Sequence, residues 1–128
     1  MFEVTVEVPF SAAHHLENYD GRCSRVHGHR WKVRAVVRGR DAGPGGMLVD
    51  VRMLQALMAS VLGRFEGCDL NLDPLFSGSN PSAENLATEI FRLLQGAPLI
   101  DCSTPGAWLE AVEVEETPGS SARFASPA

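Results

Sequence analysis

His27-Gly28-His29-Arg30-Trp31-Lys32-Val33-Arg34-Ala35-Val36-Val37-Arg38-Gly39-Arg40 alternates in polarity. Trp31, Val33, Ala35 and Val37 share one parity. Arg30, Lys32, Arg34, Arg38 and Arg40 share the other. Period two marks a half-buried strand, read here over 29–40. His27 and His29 have the apolar parity, so their imidazoles continue the buried face. Upstream, Val4, Val6, Val8, Phe10 and Ala12 alternate with Glu3, Thr5 and Glu7, which marks another strand over 2–14. His14 continues its apolar face. With the two strands paired as neighbours, the three rings meet at one end of the sheet.

Further along, Asp41 to Gly46 holds two Gly-Pro and Gly-Gly breaks and reads as a loop. Met47–Val49 reads as a short strand. Asp50 is placed to cap a helix over 51–65, whose Leu54, Leu57, Met58, Val61, Leu62 and Phe65 recur at helical spacing. Residues 71–82 form a loop. A second amphipathic helix is expected over 81–95 from Ala83, Leu86, Ala87, Ile90 and Leu94, with Pro81 in its first turn. A long connection, 96–106, leads to a strand over 107–117 with Trp108, Val112 and Val114 on one face. Ala122–Phe124 supplies a short last strand, and 125–128 is expected to fray. The order ββααββ is α+β: a four-stranded antiparallel sheet with both helices on one face. Its open edges call for oligomerisation.

The 128 residues form one domain, 1–128, without repeat or linker. No apolar run approaches the roughly 18 residues that span a bilayer, so no membrane partner is expected. Sixteen acidic against eleven basic residues give a net charge of −5, which argues against a nucleic-acid partner. Three cysteines are too few for a disulfide framework and point to a reducing, cytoplasmic compartment. Cys68 and Cys102 read as small buried residues. Seven of the eleven basic residues lie between 22 and 40. Most of that segment suits a polar strand face paired with Glu3, Glu7, Glu113 and Glu115. One or two remain for an anionic ligand.

All four histidines lie within residues 14–29. His14, His27 and His29 form a three-imidazole set of the kind that holds a catalytic zinc and leaves a fourth position open. Zn2+ is the expected cofactor, and without a carboxylate ligand it keeps its full charge to acidify a bound hydroxyl. His15 has the opposite parity and reads as a bystander. Cys23, between Arg22 and Arg25, sits where positive charge favours thiolate. Glu116 shares parity with Val112 and Val114 and ends an apolar face.

Phe10-Ser11-Ala12-Ala13-His14 and Cys23-Ser24-Arg25-Val26-His27-Gly28-His29 together resemble the 6-pyruvoyl-tetrahydropterin synthase family, which includes 6-carboxy-tetrahydropterin synthases of the queuosine route. Leu48-Val49-Asp50, Leu70-Asn71, Asn80-Pro81-Ser82-Ala83-Glu84-Asn85 and Val114-Glu115-Glu116-Thr117 match in order and spacing. The resemblance implies the tunnelling fold (T-fold), in which two hairpins flank two helices and strands of several subunits close a barrel. It implies a homohexamer, a dimer of trimers, with active sites between subunits. It implies zinc on His14, His27 and His29, and a pterin lyase acting on 7,8-dihydroneopterin triphosphate, a small-molecule substrate, to give a 6-carboxy- or 6-pyruvoyl-tetrahydropterin. In that scheme Cys23 moves the proton and Glu116 anchors the amino-pyrimidinone edge. The Ser82–Glu84 segment, with Ser82 and Glu84, contacts the pterin. Arg22, Arg25 or Lys32 would meet the triphosphate. The family's catalytic Asp-His pair falls here on Glu66-Gly67, so Glu66 or the nearby Asp69 is the expected carboxylate. That departure keeps two alternatives in view: a family member with a different pterin substrate, and a non-catalytic pterin-binding protein.

Overall fold

The computed structural model describes residues 1–18, 25–97 and 104–125. β1 (Phe2–His14) and β2 (His27–Gly39) pair antiparallel along their full length, Phe2 opposite Gly39 and His14 opposite His27. α1 (Val51–Leu62) and α2 (Ala83–Gln95) follow, then β3 (Trp108–Thr117) and β4 (Ser120–Ala125). The sheet runs β1-β2-β3-β4, each strand antiparallel to the next. The four-stranded antiparallel α+β arrangement expected from the sequence is therefore present.

One face of the sheet is apolar for the reason the alternation gives. Trp31, Val33, Ala35 and Val37 are fully buried, as are Val112 and Val114 opposite them. Leu54, Met58 and Leu62 of α1 and Leu86, Ile90 and Leu94 of α2 close over that face. Phe10 stacks on Trp31 at 6.0 Å between centroids and tilts against Phe65 at 5.8 Å. Each such burial contributes about 1.5–3 kcal/mol. The other face is the expected ion-pair lattice. Arg34 reaches Glu7 at 2.8 Å and Glu113 and Glu115 at 3.2 Å each, and Arg38 reaches Glu3 and Glu110. Val36 and Ala111 are exceptions: they pair on this polar face yet are buried, beside a bulge between Val36 and Val37.

Several boundaries differ from the sequence reading. β2 begins at His27, because its ladder with β1 runs on to His14. α1 stops at Leu62, where Gly63 caps it, and Phe65 fills the core from a turn instead of the helix. Pro81 lies outside α2, since Ser82 is the N-cap and its hydroxyl accepts the Asn85 N–H. Met47–Val49 forms no strand beyond a lone bridge at Val49, though Leu48 and Val49 are buried. The 71–82 loop contains two 3₁₀ turns, Leu70–Leu72 and Pro74–Phe76, capped by Asp69 and Asp73. β4 is longer than expected and takes in Ala125, which pairs with Ala111. Cys68 is exposed and not a small core residue, because it sits in the turn that runs along the edge of β1. Cys102 and residues 126–128 lie outside the described residues.

Candidate metal centre

Antiparallel register builds the centre. His14 stands opposite His27, and Ala12 opposite His29, so the three rings project together at the end of the β1–β2 ladder. Their centroids are 4.5, 5.4 and 4.7 Å apart. Trp31 floors the group, edge-on to His14 at 4.9 Å and to His29 at 5.4 Å. The Trp31 indole N–H donates to the Ala12 carbonyl and so holds the floor to β1.

Two hydrogen bonds set the ring tautomers. His14 Nδ1 lies 2.8 Å from the Pro81 carbonyl oxygen, and His27 Nδ1 lies 2.6 Å from that of Arg25. A carbonyl only accepts, so each Nδ1 carries a proton and each ring directs its Nε2 inward. His14 is 1 % exposed, and His14 Nε2 and His29 Nε2 are buried without a hydrogen-bond partner. Burial is the main cause holding His29 below its ordinary pKa; the Glu116 carboxylate opposes it, and the neighbouring His27 and His14 act with it. Three Nε2 atoms directed at one point, two of them buried and unpartnered, suit a cation.

Glu116 completes the cluster. It follows Glu115, which pairs with Lys32, at the bulged end of β3. Its Oε1 lies 2.9 Å from His14 Nε2, 3.2 Å from His29 Nε2 and 4.0 Å from His27 Nε2. One donor atom from each of His14, His27, His29 and Glu116 lies within 4.8 Å of the others, so the four could hold a metal ion. The predicted histidine set is thus brought together. The sequence reading of Glu116 as a pterin anchor did not foresee a carboxylate against the rings. Its parity with Val114 was the available signal.

The remaining predicted residues are distributed around this centre. Ser82 sits one residue after Pro81, whose carbonyl holds His14, and Glu84 is exposed in the first turn of α2. Arg25 is exposed, and its carbonyl is what orients His27. Glu66 and Asp69 do not join the histidine cluster. Glu66 Oε2 accepts the Ser11 N–H at 2.8 Å, and Asp69 accepts the Asn71 N–H while its backbone bridges to Ala13. Between them Gly67 has φ +72° and donates its N–H to the Ser11 carbonyl at 2.7 Å. That left-handed conformation favours glycine over a histidine. Cys23 and Arg22 lie outside the described residues.

Two asparagines act without any role legible in the sequence. Asn71 exchanges two hydrogen bonds with the His15 backbone, N–H to Oδ1 at 2.9 Å and Nδ2 to O at 3.0 Å. Asn80 does the same with Glu17, at 2.8 and 3.0 Å. Each amide acts as one rung of a ladder and fixes the chain that leaves β1 directly after His14. Both lie in motifs the sequence makes conspicuous, Leu70-Asn71 and Asn80-Pro81, but their partners are 56 and 63 residues away.

Comparison with known proteins agrees with this architecture. The family model described as 6-pyruvoyl tetrahydropterin synthase matches residues 3–127. A 6-carboxy-5,6,7,8-tetrahydropterin synthase of Synechocystis sp. is 37 % identical over 99 % of this chain and 95 % of its own length. One from Bacillus subtilis is 32 % identical over 93 % of this chain and 82 % of its own. Among solved structures, the Caenorhabditis elegans 6-pyruvoyl tetrahydropterin synthase superposes with a TM-score of 0.80 at 29 % identity, covering 98 % of this chain and 97 % of that one.

Proposed function

This chain belongs to the 6-pyruvoyl tetrahydropterin synthase family, and from that premise we propose that it is a zinc-dependent lyase converting 7,8-dihydroneopterin triphosphate to 6-carboxy-tetrahydropterin, with triphosphate and the two terminal side-chain carbons (as acetaldehyde) leaving. The observation that carries the reading is the convergence of three imidazole Nε2 atoms, those of His14 and His29 buried without a hydrogen-bond partner. The donor chemistry fits a divalent zinc ion, held by His14, His27 and His29. When bound, the ion would acidify the side-chain hydroxyls of the pterin and the carbon beside them.

The chain's own groups do the rest. Trp31 packs edge-on against His14 and His29, while Pro81 and Arg25 lock the tautomers of His14 and His27 through their carbonyls. Cys23, four residues before His27, takes the carbon-bound proton as a thiolate favoured by Arg22 and Arg25. Ser82 and Glu84 flank the pterin at the start of α2, and Arg25 faces the triphosphate. Glu66 or Asp69, from this chain or from a neighbouring copy, supplies the assisting carboxylate. The family's 6-carboxy members place the product in queuosine biosynthesis in the cytoplasm, and the active form is a homohexamer. A second reading, a shifted pterin specificity or a pterin-binding protein without turnover, is favoured by Gly67, which stands where the family carries a histidine and has a backbone suited to glycine.

The test is anaerobic incubation of metal-quantified protein with dihydroneopterin triphosphate, with triphosphate release and products read by mass spectrometry. The lyase gives 6-carboxy-tetrahydropterin, and Cys23→Ala slows it by about 10²–10⁴-fold, the usual worth of a general base. Metal-loaded protein that releases no triphosphate, or that yields product only from another pterin, overturns the primary reading for the second.

A further inference from the structure

The centre has one more donor than a three-histidine catalytic site needs. An ion held tetrahedrally by nitrogen and oxygen at 2.0–2.1 Å has donor–donor edges of about 3.3–3.4 Å. Glu116 Oε1 stands at 2.9, 3.2 and 4.0 Å from the three Nε2 atoms, values that straddle this edge. With an ion held by the three histidines, the carboxylate oxygen would be placed to take the fourth corner that an open site offers to water or substrate. No hydrogen bond joins the carboxylate to His14 or His29 in this geometry. His14 Nε2 and His29 Nε2 have no hydrogen-bond partner, and the His14 and His27 protons are committed to carbonyls on the far side of the rings. The histidines ride on β1 and β2, but Glu116 rides on β3, at the bulge between Glu115 and Thr117 where the ladder to β4 is broken. Glu116 is 26 % exposed against 1 % for His14, so solvent reaches the carboxylate side of the site.

We propose that Glu116 is a displaceable fourth ligand, which closes the metal site in the substrate-free protein and leaves when the side-chain oxygens of a pterin take its corner. The choice of displacing ligand rests on the pterin reading above; the resting ligation does not. Exchange of one carboxylate for neutral hydroxyls raises the net charge of the site from +1 to +2, so full acidifying power is present only with substrate in place. The released carboxylate is then free to accept N–H groups of the pterin.

The experiment uses the full chain loaded with cobalt(II), as wild type, Glu116→Gln, Glu116→Ala and Glu115→Gln. Visible absorption reports the ligand set, and competition with a chromophoric chelator reports affinity. Without substrate, both Glu116 variants should change the cobalt spectrum and bind at least about 10-fold more weakly, the lower end of what even outer-sphere partners of a metal contribute. Glu115→Gln, the same charge change one residue away, should leave both unaltered. Matching melting curves of the metal-free forms exclude misfolding as the cause. Glu116 variants with the wild-type spectrum and affinity overturn the proposal, whatever the lyase assay shows. On anaerobic addition of 7,8-dihydroneopterin, the wild-type and Glu116→Gln spectra should converge, because both then lack the carboxylate. Spectra that shift but stay distinct overturn the displacement. A pterin that perturbs neither protein overturns the displacement together with the pterin reading, while the substrate-free comparison still decides the ligation.

Discussion

His14 shows how much of the centre depends on single atoms. Its ring is 1 % exposed, its Nδ1 is spent on the Pro81 carbonyl, and its Nε2 points into the cluster without a partner. Such a group is costly in a metal-free core and favourable beside a cation, so metal and fold are linked. His29 is the better residue for mutation, since it is 19 % exposed and bears less packing. His29→Ala should lower bound zinc from about one per chain, the stoichiometry of a three-histidine site, to a small fraction. Added zinc at a hundredfold over its dissociation constant should stabilise the wild type by about 2.7 kcal/mol and the variant negligibly. Elemental analysis and thermal melts with and without zinc check both, and a variant that keeps its metal would remove His29 from the ligand set.

Elements carry the site by their ends. The Arg64–Asp73 fork ties the turn after α1 to the two 3₁₀ turns beside β1, with contacts of 3.0 and 2.6 Å. Burial pushes the Asp73 carboxyl up, but the Arg64 hydrogen bond, the Leu75 N–H and the Arg64 charge outweigh it, and the pKa lies below its ordinary value. A carboxyl with a lowered folded pKa adds stability that is present above its unfolded pKa, about 3.9, and is lost as pH falls through the folded value. Arg64→Ala should therefore lower the urea midpoint most at neutral pH, and the gap to wild type should close below about pH 4. A gap that stays constant to strong acid would mean that the fork contributes through packing alone. The strand and helix signals behind these ends were legible in periodicity and capping residues. Their limits were less so: Gly63 ended α1 three residues early, and the Ser82 cap excluded Pro81 from α2.

At the scale of the molecule, the open sheet has two outer edges. The last residues of β1 are covered by the Gly67–Asp69 turn, through bonds from the Gly67 N–H to Ser11 and from the Ala13 N–H to Cys68. The earlier part of β1 and the outer side of β4 pair with no described strand. Unpaired edges of this length invite another copy. A solution mass about six times 13.8 kDa is expected by light scattering at micromolar concentration, in line with the hexamer the family resemblance implies. A mass of one chain would overturn the assembly and with it any carboxylate shared between copies. Among the described residues no helix is long and apolar enough to cross a membrane.

The order of elements, the three-histidine set and the two faces of the sheet follow from the sequence by itself, except at Trp108. The β2–β3 bulge turns that residue to the polar face opposite Arg38, while Leu109 takes the buried position. Alternation and helical spacing are local properties, and parity alone states which side of a strand a ring leaves from. Tertiary structure decided what depends on register and long-range pairing. Only the His14–His27 alignment and the bulge of β3 bring Glu116 Oε1 to within 2.9 Å of a ring nitrogen from another strand. Only the folded loops show Asn71 and Asn80 bracing the backbone after His14, and Glu66 bound to Ser11 and away from the metal centre. Spacing along a chain fixes direction, but distance between strands is set by the ladder that joins them.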